Sequence, residues 1–120
     1  MGKIKQLHLL IIIGLSFLLG NCEASHWTLI RVENATGHDI TDVFVSDHYY
    51  GNVKKGGKTD YQIYEKAYHY ASCTFNIDGV EFRLQPIDFV GEKPLKNGKY
   101  GYRLKIRDLN LPQALIELVE

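Results

Sequence analysis

The groups in this chain best suited to chemistry are two cysteines, five histidines, a lysine-rich glycine loop and eight tyrosines. Cys22 follows directly on an apolar stretch, at a place where a thiolate beside a cut site accepts lipid. Cys73 lies in an apolar-rich segment, which suits a small buried hydrophobe rather than a nucleophile. The loop from Gly51 to Thr59 comes close to a phosphate cradle, which needs a glycine, four residues and then Gly-Lys-Thr so that backbone amides encircle the phosphates. Asn52 occupies the position that must be glycine, and Gly51 falls one residue early. A strand-to-strand setting also lacks the helix N-terminus such a loop requires. The loop therefore reads as a solvated connection, and no nucleotide is expected.

The remaining polar groups are weighed in the same way. His26, His38, His48 and His69 include no His-x-His or His-Glu-x-x-His pair, whereas a metal centre needs three or four convergent ligands. No metal and no cofactor are expected. Ser46 and Ser72 lie in no nucleophile elbow, so nothing favours an enzyme. Asp88 and Glu92 form a carboxylate pair that acid and base catalysis could use, but Pro86 and Pro94 frame them in a loop where carboxylates commonly cap backbone amides. Asn34-Ala35-Thr36 matches a glycosylation acceptor, a short pattern common by chance. Tyrosine is the unusual feature: Tyr49, Tyr50, Tyr61, Tyr64, Tyr68 and Tyr70 fall within 22 positions. A flat apolar ring with a wet hydroxyl suits a protein or glycan contact surface, although strands also favour tyrosine for ordinary packing.

The elements that must position these groups begin with an address. Lys3 and Lys5 precede an apolar run from Leu7 to Leu19, then Gly20, Asn21 and Cys22, which is the layout of a signal peptide over residues 1–21. Its 13 positions, interrupted by His8 and Ser16, fall short of the roughly 20 apolar residues needed to span a bilayer as a helix. Residues 18–22 resemble a bacterial lipobox, in which the cysteine becomes diacylated, with Asn21 standing where that motif usually has Gly, Ala or Ser. Lipidation of Cys22 leaves Cys73 a lone thiol; the alternative is a disulfide between the two. Residues 22–26 then form a tether, and 27–120 a single domain. Both signal lysines are lost with the leader, leaving 12 basic against 14 acidic residues. That balance gives no reason to expect a nucleic-acid partner.

Period-two patterns predict strands at 27–33, 40–46, 59–64, 68–78, 80–84, 100–106 and 114–119. In the first, Thr28, Ile30 and Val32 share a face; in the fourth, Ala71, Cys73, Phe75 and Ile77 form the core side. Asp78-Gly79 is the strongest hairpin signal. About seven strands in under 100 residues point to an all-β domain, a small immunoglobulin-like β-sandwich behind an N-terminal signal helix. Gly98-Lys99-Tyr100-Gly101-Tyr102 is similar to the tyrosine corner of that class, with Tyr102 where antibody domains carry a cysteine.

The order Tyr50-Gly51, Gly57-Lys58-Thr59-Asp60-Tyr61, Ala67-Tyr68-His69-Tyr70-Ala71, Pro86 to Glu92 and Asn97-Gly98-Lys99-Tyr100 is similar to a family of small exported lipoproteins of Bacteroidetes. The resemblance implies an anchored, extracytoplasmic all-β domain and supplies no catalytic or binding residues. The expectation is a binding or structural module of the cell envelope, at the outer membrane or in the periplasm, held to the membrane by lipid on Cys22. The alternative is an inhibitor that inserts the 88–96 loop into an extracytoplasmic lysozyme or protease.

Overall fold

A computed structural model describes residues 27–86 and 92–120 of the 120. The signal segment, Cys22, the tether and Asp88 lie outside the described residues. Eight strands follow in order: β1 (Thr28–Asn34), β2 (Ile40–Val45), β3 (His48–Val53), β4 (Gln62–Tyr64), β5 (Cys73–Ile77), β6 (Val80–Leu84), β7 (Gly98–Ile106) and β8 (Ala114–Val119). They form two four-stranded sheets, ordered β4-β1-β7-β8 and β3-β2-β5-β6, packed as a sandwich. All pairings are antiparallel except β1 with β7, which run parallel from Thr28↔Gly98 to Asn34↔Leu104.

The layers follow from side-chain alternation. Thr28, Ile30, Val32 and Asn34 of β1 point inward, as do Cys73, Phe75 and Ile77 of β5. Against them pack Tyr102 and Leu104 of β7 and Phe82 of β6, all at most 1% exposed. Phe75 and Phe82 stack with centroids 5.8 Å apart. Side chains of that size give a two-layer domain most of its apolar burial. In β2, Ile40 and Val43 both face the core although three positions apart. A bulge reconciles this: the register shifts between them, and Asp42 takes a positive φ of 49°.

Seven strands were expected and eight are present, because residues 48–53 pair with β2 instead of ending the region. Gly51 reads as a turn in the sequence, but here it sits inside β3 at φ 78°, beside a register shift. Two expected strands are shorter than their patterns. Of 59–64 only β4 is a strand; at Thr59 the N–H donates to the Val32 carbonyl and the hydroxyl accepts from the Val32 N–H, a side-chain substitute for one rung of a ladder. Of 68–78 only β5 is a strand, because the preceding carbonyls are claimed elsewhere: Ala67 by the Leu95 N–H, Tyr68 by the Tyr102 hydroxyl and Ser72 by the Ser46 N–H.

Candidate functional site

Six tyrosines are grouped in sequence, yet the fold distributes them over three settings. Tyr50 and Tyr64 reach inward. The Tyr50 hydroxyl donates to the Ile30 carbonyl at 2.8 Å and lies 3.0 Å from the Tyr64 hydroxyl, which itself is 3.2 Å from the Val45 carbonyl. Two protons serve three contacts: with the Tyr50 proton on the Ile30 carbonyl, the Tyr64 hydroxyl has both the Tyr50 oxygen and the Val45 carbonyl within reach as acceptors. His48 stacks on the Tyr64 ring at 3.7 Å. Its Nδ1 is 2.9 Å from Gln62 Oε1, and since the Gln62 amide nitrogen donates to the Tyr49 carbonyl, Nδ1 carries the proton. Tyr64 is 3% exposed and forms part of the core, not of any contact surface. Burial pushes the Tyr50 phenol up to about 12 and the Tyr64 phenol well above its ordinary value.

Tyr61 lies on the outer face of the β1-containing sheet, with the Arg31 guanidinium 5.1 Å and the Lys99 ammonium 5.4 Å from its ring centre. Tyr49 lies on the outer face of the other sheet. Its exposed ring leans on that of Phe44, itself 42% exposed, with centroids 4.8 Å apart. Its hydroxyl donates to Asp42 Oδ1 at 3.2 Å, and that carboxylate holds the phenol above its usual value. Tyr68 is half-buried and Tyr70 is exposed, both within the 65–72 connection.

Three depressions of the surface meet at Ser46, the residue after β2, which adopts φ 51° and donates its N–H to the Ser72 carbonyl at 2.8 Å. On one side is a hollow of about 290 Å³ lined by Ser46, Asp47, Lys66, Tyr68, Tyr70 and Ser72, among others. On the other is one of about 170 Å³ whose lining includes Phe44, Ser46, Ser72, Thr74, Arg83 and Gln85. The two share Ser46 and Ser72. Together they make a shallow trough with the exposed Tyr70 ring in one hollow, the exposed Phe44 ring and the Arg83 guanidinium in the other, and the two serines between. Strand register fixes one wall, since Tyr49 pairs with Phe44, Phe44 with Thr74 and Thr74 with Arg83, a row straight across the sheet. Sequence reading singled out the tyrosines and weighed Ser46 only as a nucleophile, but missed Phe44, Thr74 and Arg83, which only the cross-strand register brings together.

Other candidates take structural places. Cys73 is buried, and desolvation raises its thiol to about 12. Gly56 and Gly57 turn their amides inward, to the Asn34 and Lys54 carbonyls, in a connection that crosses from one sheet to the other. Asn34, the glycosylation candidate, is 2% exposed: its Nδ2 donates to the His38 and Val53 carbonyls, and its Oδ1 accepts from the Thr36 N–H and hydroxyl. No group of three or more metal-ligating side chains occurs among the described residues. Glu92 is described while its partner Asp88 is not, and Leu95, further along the same segment, is tied to the Ala67 carbonyl at 2.7 Å.

The arrangement defines a two-sheet β-sandwich with an open trough on one flank. A scan of protein-family models finds no match to the chain, and neither does a search of curated proteins.

Proposed function

We propose that this protein is a lipid-anchored binding module of the bacterial envelope, immunoglobulin-like in its two-layer architecture, which takes an extended glycan or protein segment along the Ser46–Ser72 trough. The observation that carries this reading is the trough itself: the exposed Phe44 and Tyr70 rings suit stacking, and the hydroxyls of Ser46, Ser72 and Thr74 with the Gln85 amide and Arg83 guanidinium suit hydrogen bonding to a polar chain. Two further features support the class. The Tyr100 hydroxyl donates to the Lys96 carbonyl at 2.9 Å, four residues upstream at the start of β7, as a tyrosine corner does. The similarity to exported lipoproteins of Bacteroidetes and the placement of Cys22 support the anchor. The strand order differs from that of antibody constant domains, because β2 and β3 stay in one sheet where those domains part the corresponding strands.

The test has two arms. Acylation of Cys22 predicts a lipid-labelled product in cells, and Cys22→Ala should move the protein from the membrane fraction to the soluble one. Unchanged fractionation removes the anchor from the proposal. For the trough, photo-crosslinking in intact envelopes should join the wild-type protein to a partner, and Phe44→Ala with Tyr70→Ala should cut that yield roughly tenfold, the loss of two stacking faces. Equal crosslinking by the double variant removes the trough.

A further inference from the structure

The outer face of the β4-β1-β7-β8 sheet carries a second patch of different chemistry, which adjoins the trough where Ile63 shares a hollow with Ser46 and Asp47. Register places Leu29 between Ile63 of β4 and Lys99 of β7, so these three side chains share the outer face. Tyr61 and Arg31 join them through the ring contacts described above, and Trp27 precedes β1 on the same side of its alternation. Ile63 is 67% exposed and Trp27 45%, unusual exposure for large apolar side chains on one sheet face. On this face Arg103 and Lys105 are paired with Glu33 and Glu117. Among the described residues, Arg31 and Lys99 are paired with no carboxylate and stand over the Tyr61 ring instead.

The geometry points to this patch as the surface that rests on an anionic phospholipid leaflet. An aromatic and aliphatic cluster bordered by unpaired cations matches the chemistry of a membrane boundary, where ring systems lie at headgroup depth and cations meet lipid phosphate. Chain length supports the same occupant. Only five residue steps separate Cys22 from Trp27, and fully extended they reach about 18 Å at most. A domain held by lipid on Cys22 therefore keeps the start of β1 within that distance of the bilayer. The inference rests on the anchored reading for its setting, but the contact it names is separate from acylation.

Trp27 is the chain's only tryptophan, so its fluorescence reports this patch directly. The full-length gene is expressed in a bacterial host, the purified product is weighed by mass spectrometry to record whether Cys22 carries lipid, and Trp27 is followed with brominated phosphatidylcholine as quencher. The vesicles are either phosphatidylcholine alone or phosphatidylcholine with about one third phosphatidylglycerol. Stronger quenching and a blue shift are expected in the anionic vesicles. Arg31→Glu with Lys99→Glu should require roughly tenfold more lipid for half-maximal quenching, and Ile63→Asp should weaken quenching while leaving the cations in place. Equal quenching in both vesicle types, or charge-reversed protein that behaves as wild type, overturns the patch even where the mass shows lipid on Cys22. An unlipidated mass with anionic-specific, charge-dependent quenching overturns the anchor and keeps the patch.

Discussion

Asn34 joins three parts of the chain through one amide. Its four hydrogen bonds tie the end of β1 to the Thr36–His38 turn and to the end of β3, all at a site closed to water. Replacing it by alanine strands the buried Val53 carbonyl and the Thr36 N–H together, and leaves the His38 carbonyl to the Thr36 hydroxyl alone. Each such group costs about 1–3 kcal/mol when its partner is lost. Asn34→Ala is therefore expected to destabilise the domain by about 2–4 kcal/mol, read as a lower urea midpoint with an unchanged slope. A glycosylation acceptor and a buried turn-former look identical in sequence, and only the burial distinguishes them.

At the scale of elements, the turn between β5 and β6 is the clearest case of local sequence dictating structure. Asp78 and Gly79 both hold positive φ, 49° and 80°, the pair of angles a two-residue hairpin needs. A Cβ on Gly79 would meet nothing within 4 Å, so any penalty comes from the backbone alone. Gly79→Ala should cost about 1 kcal/mol, visible in the same urea titration, with no change in the β-sheet signal of the folded state. The strands that sequence made legible are those whose alternation is unbroken: β1, β5, and β7, where Tyr100, Tyr102, Leu104 and Ile106 share one face. Those it misjudged depend on partners far along the chain. β3 is interrupted by Gly51, and the segment before β5 gives up its carbonyls to Tyr102, Leu95 and Ser46. The trough was less legible still. Tyr49 and Tyr70 were visible as residue types, but their company, Phe44, Arg83 and the Ser46–Ser72 floor, is a product of cross-strand register and of one residue at positive φ.

Over the whole molecule, burial of ionisable groups sets a limit on the alkaline side. Desolvation raises the Cys73 thiol and the Tyr50 and Tyr102 phenols to about 12, and Tyr64 higher, against ordinary values near 9 for the thiol and 10 for the phenols. The folded chain thus keeps protons that the unfolded chain releases. Stability from these groups is complete below pH 9, then falls as pH rises from there through 12. A melting temperature that is flat to about pH 9 and drops steeply beyond it is expected, with phenolate absorbance from the buried tyrosines appearing together with unfolding.

The parallel pairing of β1 with β7 has a temporal consequence. The first strand of the domain to leave the ribosome is an interior strand of its sheet, and its partner on one side begins 70 positions later. The β2-β3 and β5-β6 hairpins can close as soon as they emerge. The sheet that contains β1 cannot be completed until β7 has followed, after nearly the whole domain has been made. Until then the inward side of β1, with Ile30 and Val32, has no finished layer to cover it. A chain in transit is exposed to misassembly at its own first strand, and the last third of the sequence ends that exposure.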